Sequence, residues 1–381
     1  MHPKRSRWLR VLSGPRKEAV DMPWWLNEMD PVEAFETLLR GETPDRVINC
    51  PMCIGHAAKL LGYKSLGEVY EFPKVWMKAM LVTRDMYRAY PPPLALTGAG
   101  SMWMGAWGSK FMYPYHPKMG SLALIDPAVK TPEDVDKLQV PDPVPHMGGI
   151  DEALDTAIRQ KMHPLAPVLG GWLSMAGYSI TEPEKILFWI RKRPDLVHRL
   201  LDASTEYAIR ELEHLTKKFD TEKWIPWDAN PTDSNTLLDA ETFAKFPLPR
   251  VIKMHQKGLD MGIPLWFTHW CSNHNLNIKA GYIEKVPQGN PGILSFGPEV
   301  PMEVQVEKYG NYILLGNLDP PQLMTRTNDE VKEMSRKNIE VGLRGKRGYM
   351  LACGCELPPP VPPANVYAMT SACREYGEYQ K

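Results

Sequence analysis

From residue 164 onward, short apolar runs alternate with stretches of helical periodicity, and this alternation restricts the fold more than any other feature of the chain. The runs at 165–170, 224–228, 263–269, 292–295, 312–316 and 349–353 have strand length. Residues 182–193 and 194–219 read as helices, the second with Leu196, Leu200, Tyr207, Ile209 and Leu212 roughly along one face. Strand and helix in strict alternation imply a parallel sheet, and this many units favour closure into a (β/α)8 TIM barrel of the α/β class over an open sheet.

At 381 residues the chain is long enough for such a barrel with an N-terminal elaboration. The expected organisation is a solvated tail at 1–29 and one barrel domain at 30–381. Residues before about 150 are rich in Trp, Met and Pro and are less regular than those after. Proline clusters such as Pro91-Pro92-Pro93 and Pro358-Pro359-Pro360, among 37 prolines, mark turns and loops, because proline neither donates to a ladder nor continues a helix.

Composition excludes several functions. Lys+Arg and Asp+Glu are equal at 45 each, which removes the basic footprint of a nucleic-acid binder. No apolar run approaches the ~20 residues of a membrane span, and the start Met1-His2-Pro3-Lys4-Arg5 lacks a secretory core, so a cytoplasmic protein is expected. Six cysteines are too sparse for a disulfide framework and are better read as thiols or ligands. Cys50-Pro51-Met52-Cys53 has CxxC spacing but no second pair to complete a metal site.

Two segments stand out as chemistry. Thr268-His269-Trp270-Cys271 and Cys353-Gly354-Cys355-Glu356 each run straight on from an apolar strand, and the carboxyl end of a barrel strand is where such folds keep their active sites. His269 and Cys271 sit at i and i+2, so both face one ion only where the chain has left regular helix. Cys355 would reach the same ion from a second strand end. Three soft ligands with one open position describe a catalytic zinc.

The motif Asp30-Pro31-Val32-Glu33-Ala34-Phe35, its continuation Leu38-Leu39-Arg40-Gly41-Glu42-Thr43-Pro44-Asp45-Arg46-Val47, and Gly316-Asn317-Leu318-Asp319-Pro320 resemble signatures of the uroporphyrinogen decarboxylase superfamily. Ile54-Gly55-His56-Ala57-Ala58-Lys59 is similar to its cobalamin-dependent methyltransferase branch, and the arginine-rich motif with which the decarboxylases hold porphyrin carboxylates is missing. The resemblance implies a (β/α)8 barrel with a His-x-Cys…Cys zinc site at His269, Cys271 and Cys355, and with Glu299 as a displaceable fourth ligand. It also implies a separate corrinoid protein as partner, carrying the cobalamin. Two departures bear on the ligands. An extra cysteine, Cys353, precedes Cys355 and competes with it for the role, and Ser272 stands where many members have glycine.

The activity implied is exchange of a methyl group between that cobalamin and a small methyl donor or acceptor: a thiol, tetrahydrofolate, or a methyl ether or thioether. Both directions remain open, and the twelve tryptophans favour an aromatic or apolar partner. The alternatives are a non-catalytic corrinoid- or tetrapyrrole-binding protein and a uroporphyrinogen decarboxylase. Asp228, Asn230, His56, Tyr178 and Asn317 are expected to face substrate or corrinoid. Asn230 serves equally as a helix cap, and Asn317 with Asp319 equally shapes the turn that supports the ligands. Met102, Trp103, Met104, Trp107, Trp172 and Met175 belong to aromatic and methionine clusters suited to a flat macrocycle or to ordinary core.

Overall fold

The computed structural model describes residues 28–380, so nearly all of the expected N-terminal tail lies outside the described residues. Among the described residues nine strands occur in chain order: β1 (Ile48–Asn49), β2 (Lys110–Met112), β3 (Ala123–Asp126), β4 (Leu165–Pro167), β5 (Ile225–Ala229), β6 (Phe267–Trp270), β7 (Ile293–Phe296), β8 (Ile313–Leu318) and β9 (Tyr349–Cys353). Seven form one parallel sheet in the order β1-β9-β8-β7-β6-β5-β4. Every residue of these seven is buried, as expected where helices cover one face and the barrel interior the other.

The sheet closes through a segment with no regular strand. Tyr90 N donates to Asn49 O of β1 at 2.9 Å, while Leu165 N of β4 donates to Pro93 O at 3.0 Å and Ala95 N to Leu165 O at 2.9 Å. Residues 90–95 therefore occupy the eighth stave between β1 and β4. Pro91, Pro92 and Pro93 lack N–H groups and leave this stave with few donors, which is why a proline cluster that reads as a loop takes a barrel position. The barrel begins with β1 at residue 48.

Many of the other prolines start helices. Pro31, Pro73, Pro183, Pro194, Pro247, Pro320 and Pro363 each occupy the first turn of one, where the missing N–H costs no hydrogen bond. The helix Pro194–Lys218 buries Leu196, Leu200, Tyr207, Ile209 and Leu212, as its periodicity predicts. Outside the barrel, β2 and β3 pair antiparallel. Two π-helical turns, Gly100–Met104 and Ala176–Ile180, carry side chains to the mouth of the barrel; such turns recur at functional sites. Among the described residues no helix is long and apolar enough to cross a membrane.

Candidate metal centre

His269 is in β6 and Cys271 follows its end, while Cys355 lies just beyond β9. In extended chain, residues two apart point to the same side, so His269 and Cys271 both face the barrel mouth. One ligand atom from each of His269, Cys271 and Cys355 falls within 4.8 Å of the others. Cys353 is buried, and its Sγ donates to the carbonyl of Cys355 at 2.8 Å, outside that cluster.

The histidine is oriented for a metal. Its Nδ1 lies 2.6 Å from Ser295 Oγ, on the register partner of His269 in β7. With that nitrogen engaged, Nε2 is buried without a partner. A buried, unpaired imidazole nitrogen facing two sulfurs is a donor set that fits zinc. The two thiols are coupled: Cys355 is held well below the usual thiol range, first by the hydrogen bond with Cys271 and then by His269. Cys271 is pushed up by the same bond and by burial.

A buried polar relay fixes the loop after β6. Asn230 Oδ1 accepts from Cys271 N at 3.0 Å and from His274 Nε2 at 3.1 Å, and Asn277 Nδ2 lies 3.0 Å from His274 Nδ1. Burial pushes His274 down to about 3, which keeps its ring neutral in this relay. Ser272 has φ of 65°, left-handed geometry that glycine takes more readily, so the departure from glycine at this position carries local strain. The neighbouring loops approach closely. A Cβ on Gly297 would fall 2.5 Å from Glu299 Oε2 and 2.7 Å from Ser272 N, and one on Gly354 would fall 2.7 Å from Pro298 Cδ. Glycine at both positions lets the strand-end loops of β6, β7 and β9 converge.

Above the cluster opens a cavity of about 450 Å³. His269, Cys271 and Cys355 line it, as do Trp103, Met104, Met175 and Tyr178 from the sequence-selected clusters. Met102, Trp107 and Trp172 are core residues instead. Tyr178 stands half exposed at the rim.

The remaining expected residues take other places. Glu299 is exposed and lies outside the three-ligand cluster, although its charge reaches Cys271. Asp228 points to the helical side of β5, accepting from Trp172 Nε1 at 2.8 Å and lying 3.0 Å from His255 Nε2. Asn317 donates to Gly297 O at 3.1 Å and to Val300 O at 2.8 Å, pinning the loop that carries Glu299. His56 is buried with Nε2 2.8 Å from Tyr87 Oη, and burial lowers it to about 4. Cys50 and Cys53 are buried free thiols.

Sequence reasoning missed Ser295, His274 and Asn277 as supports of the ligands, and did not single out Glu356 as a wall residue. Glu356 follows Cys355, lines the cavity and accepts from Gly55 N at 2.8 Å. Burial, opposed by that bond, pushes its carboxyl up to about 7. Its place directly after the ligand motif was the available signal. Ser295 had none, because strand register is not written in local sequence.

Residues 30–376 match the family model described as uroporphyrinogen decarboxylase (URO-D). A methylated-thiol–coenzyme M methyltransferase of Methanosarcina mazei is 28% identical over 258 residues, 65% of this chain and 64% of that protein. The chain thus spans just under two thirds of that relative's length. A methylcobamide:CoM methyltransferase MtaA of Methanosarcina barkeri is 24% identical over 253 residues, 64% of this chain and 69% of that one. A uroporphyrinogen decarboxylase of Trichodesmium erythraeum is 25% identical over 272 residues, 66% of this chain and 70% of that one. Among solved structures, a methyltransferase from Methanosarcina mazei superposes with a TM-score of 0.73 at 20% identity, covering 92% of this chain and 99% of that chain. That likeness agrees with the barrel fold.

Proposed function

The chain belongs to the uroporphyrinogen decarboxylase family, and from that premise we propose that it is a zinc-dependent methyltransferase exchanging a methyl group between a small substrate and the cobalamin of a separate corrinoid protein. The observation that carries this reading is the buried, unpaired Nε2 of His269 facing the sulfurs of Cys271 and Cys355 at the barrel mouth. The names of two methyltransferase relatives support the same reaction class. Decarboxylation fits less well. A polycarboxylate substrate needs cationic partners, and among the described residues the cavity wall holds no arginine or lysine.

His269, Cys271 and Cys355 would hold a zinc ion, which would supply Lewis acidity to turn a thiol into a nucleophile or to ease departure of a methyl donor's heteroatom. The chain's own residues prepare that chemistry. Ser295 engages Nδ1 of the imidazole so that Nε2 would be left for the ion, and Asn230 holds the Cys271 backbone in place. The apolar walls exclude water from the reacting atoms. Glu299 is the proposed resting fourth ligand. Asp228 and His56 would act by holding the walls in place; Tyr178 would meet substrate or corrinoid at the rim.

The test is to mix zinc-loaded protein with methylcobalamin or cob(I)alamin and candidate substrates while recording the cobalt absorption spectrum. A spectral change that requires zinc, and that His269→Ala and Cys271→Ala abolish, is expected. A protein that binds cobalamin with no such change would be a carrier and not an enzyme.

A further inference from the structure

The cavity walls narrow the substrate class. About 450 Å³ suits one small ligand and not a whole corrinoid. Met52, Leu96, Trp103, Leu122, Met175 and Trp227 make the walls apolar and aromatic. The charged wall group, beside the metal ligands, is the Glu356 carboxyl, and among the described residues no arginine or lysine lines the space.

Two helix starts open on this cavity, and both already have acceptors from the protein. Gly55 N, in the first turn of helix Ile54–Leu60, donates to Glu356 Oε1 at 2.8 Å. Leu173 N and Ser174 N donate to the buried Asp233 carboxylate at 2.9 and 3.2 Å. A sulfonate or carboxylate brought here would find no arginine or lysine to pair with, and an unpaired buried charge costs several kcal/mol. By contrast, the rings of Trp103 and Trp227 line the space. An uncharged aromatic body packs well against indole and methionine, and an ether oxygen needs no countercharge.

Resting on the methyl-transfer reading, we infer that the small substrate of this site is an uncharged aryl methyl ether and not an anionic thiol. In the transfer the oxygen–methyl bond breaks with its electron pair left on oxygen. The electron pair of the partner's cobalt(I) forms the new carbon–cobalt bond, cobalt becoming formally cobalt(III). The phenolate oxygen takes one proton from water, so a phenol and a methylated corrinoid result, with no external oxidant or reductant.

Isothermal titration calorimetry of the full-length, zinc-loaded protein tests this with 2-methoxyphenol, 2-methoxybenzoate and 2-mercaptoethanesulfonate as probes. The expected result is binding of 2-methoxyphenol at least about ten-fold tighter than either anion. Leu122→Lys, which places a cation in the partly exposed wall, should strengthen 2-methoxybenzoate binding several-fold and weaken 2-methoxyphenol binding. Equal or tighter binding of an anion by the unaltered protein, or no binding of 2-methoxyphenol, overturns the inference. The underlying reading fails separately: tight binding of 2-methoxyphenol with no zinc-dependent methylation of cob(I)alamin from any donor would sink the methyl-transfer reading alone, and zinc-dependent cobalamin methylation from an anionic donor would sink the substrate class alone.

Discussion

Nδ1 of His269 and Oγ of Ser295 stand 2.6 Å apart across the β6–β7 ladder, and this contact decides which imidazole nitrogen is left for a metal. Ser295→Ala removes the orienting bond without touching a ligand. Zinc affinity should fall about 10- to 100-fold while the circular dichroism spectrum stays unchanged. Competition with a chromophoric chelator measures it; unchanged affinity would mean the bond orients nothing.

Asn230 serves two donors from one oxygen. Asn230→Ala leaves Cys271 N and His274 Nε2 without their acceptor in a buried site, so stability should drop by ~1–3 kcal/mol. Urea unfolding gives the loss, and zinc occupancy of the folded variant should fall with it. A variant as stable as the parent would show that water replaces the side chain.

Asp228 faces the helices, bound to Trp172 and His255. Asp228→Asn should lower the melting temperature, since Trp172 and His255 then share a weaker acceptor, with a stability loss of ~1–3 kcal/mol. KM for the methyl substrate should stay within about two-fold, because a change in stability away from the reacting groups leaves substrate binding intact. A large rise in KM with unchanged stability would return Asp228 to the substrate site.

Asp233 provides a pH signature remote from the metal ligands. Burial, partly offset by the Leu173 and Ser174 hydrogen bonds, raises its carboxyl to about 6 from an ordinary value near 3.8. The folded chain therefore binds this proton more tightly than the unfolded chain. The resulting stability is complete below the unfolded value and is lost as pH rises through about 6. Compared with Asp233→Asn, which does not titrate, the parent should lose relative stability between pH 5 and about 7 and then level off. Unfolding curves at four pH values check this; a constant difference would contradict it.

The strands from β4 to β9 were legible because each is an apolar run, and the grouping of His269, Cys271 and Cys355 was legible because these residues sit at the ends of two of those runs. The stave at 90–95 was not, since prolines signal a loop locally and only tertiary closure makes one a barrel member. Ser295, His274 and Asn277 were hidden for a related reason: each acts on a residue supplied by register or by a loop crossing. Asp228 looked like a pocket residue because its neighbours Trp227 and Ala229 line the cavity, and only the two-residue period of β5 turns it outward. Proline was read as loop punctuation, whereas many of the prolines open helices.

Metal content of protein purified under reducing conditions tests the central claim most directly, with Cys353→Ala and Cys355→Ala measured beside the parent by elemental analysis. The expected outcome is about one zinc per chain in the parent and in Cys353→Ala, and none in Cys355→Ala. A parent free of zinc, or a Cys355→Ala protein that keeps its zinc while Cys353→Ala loses it, would contradict the three-ligand centre.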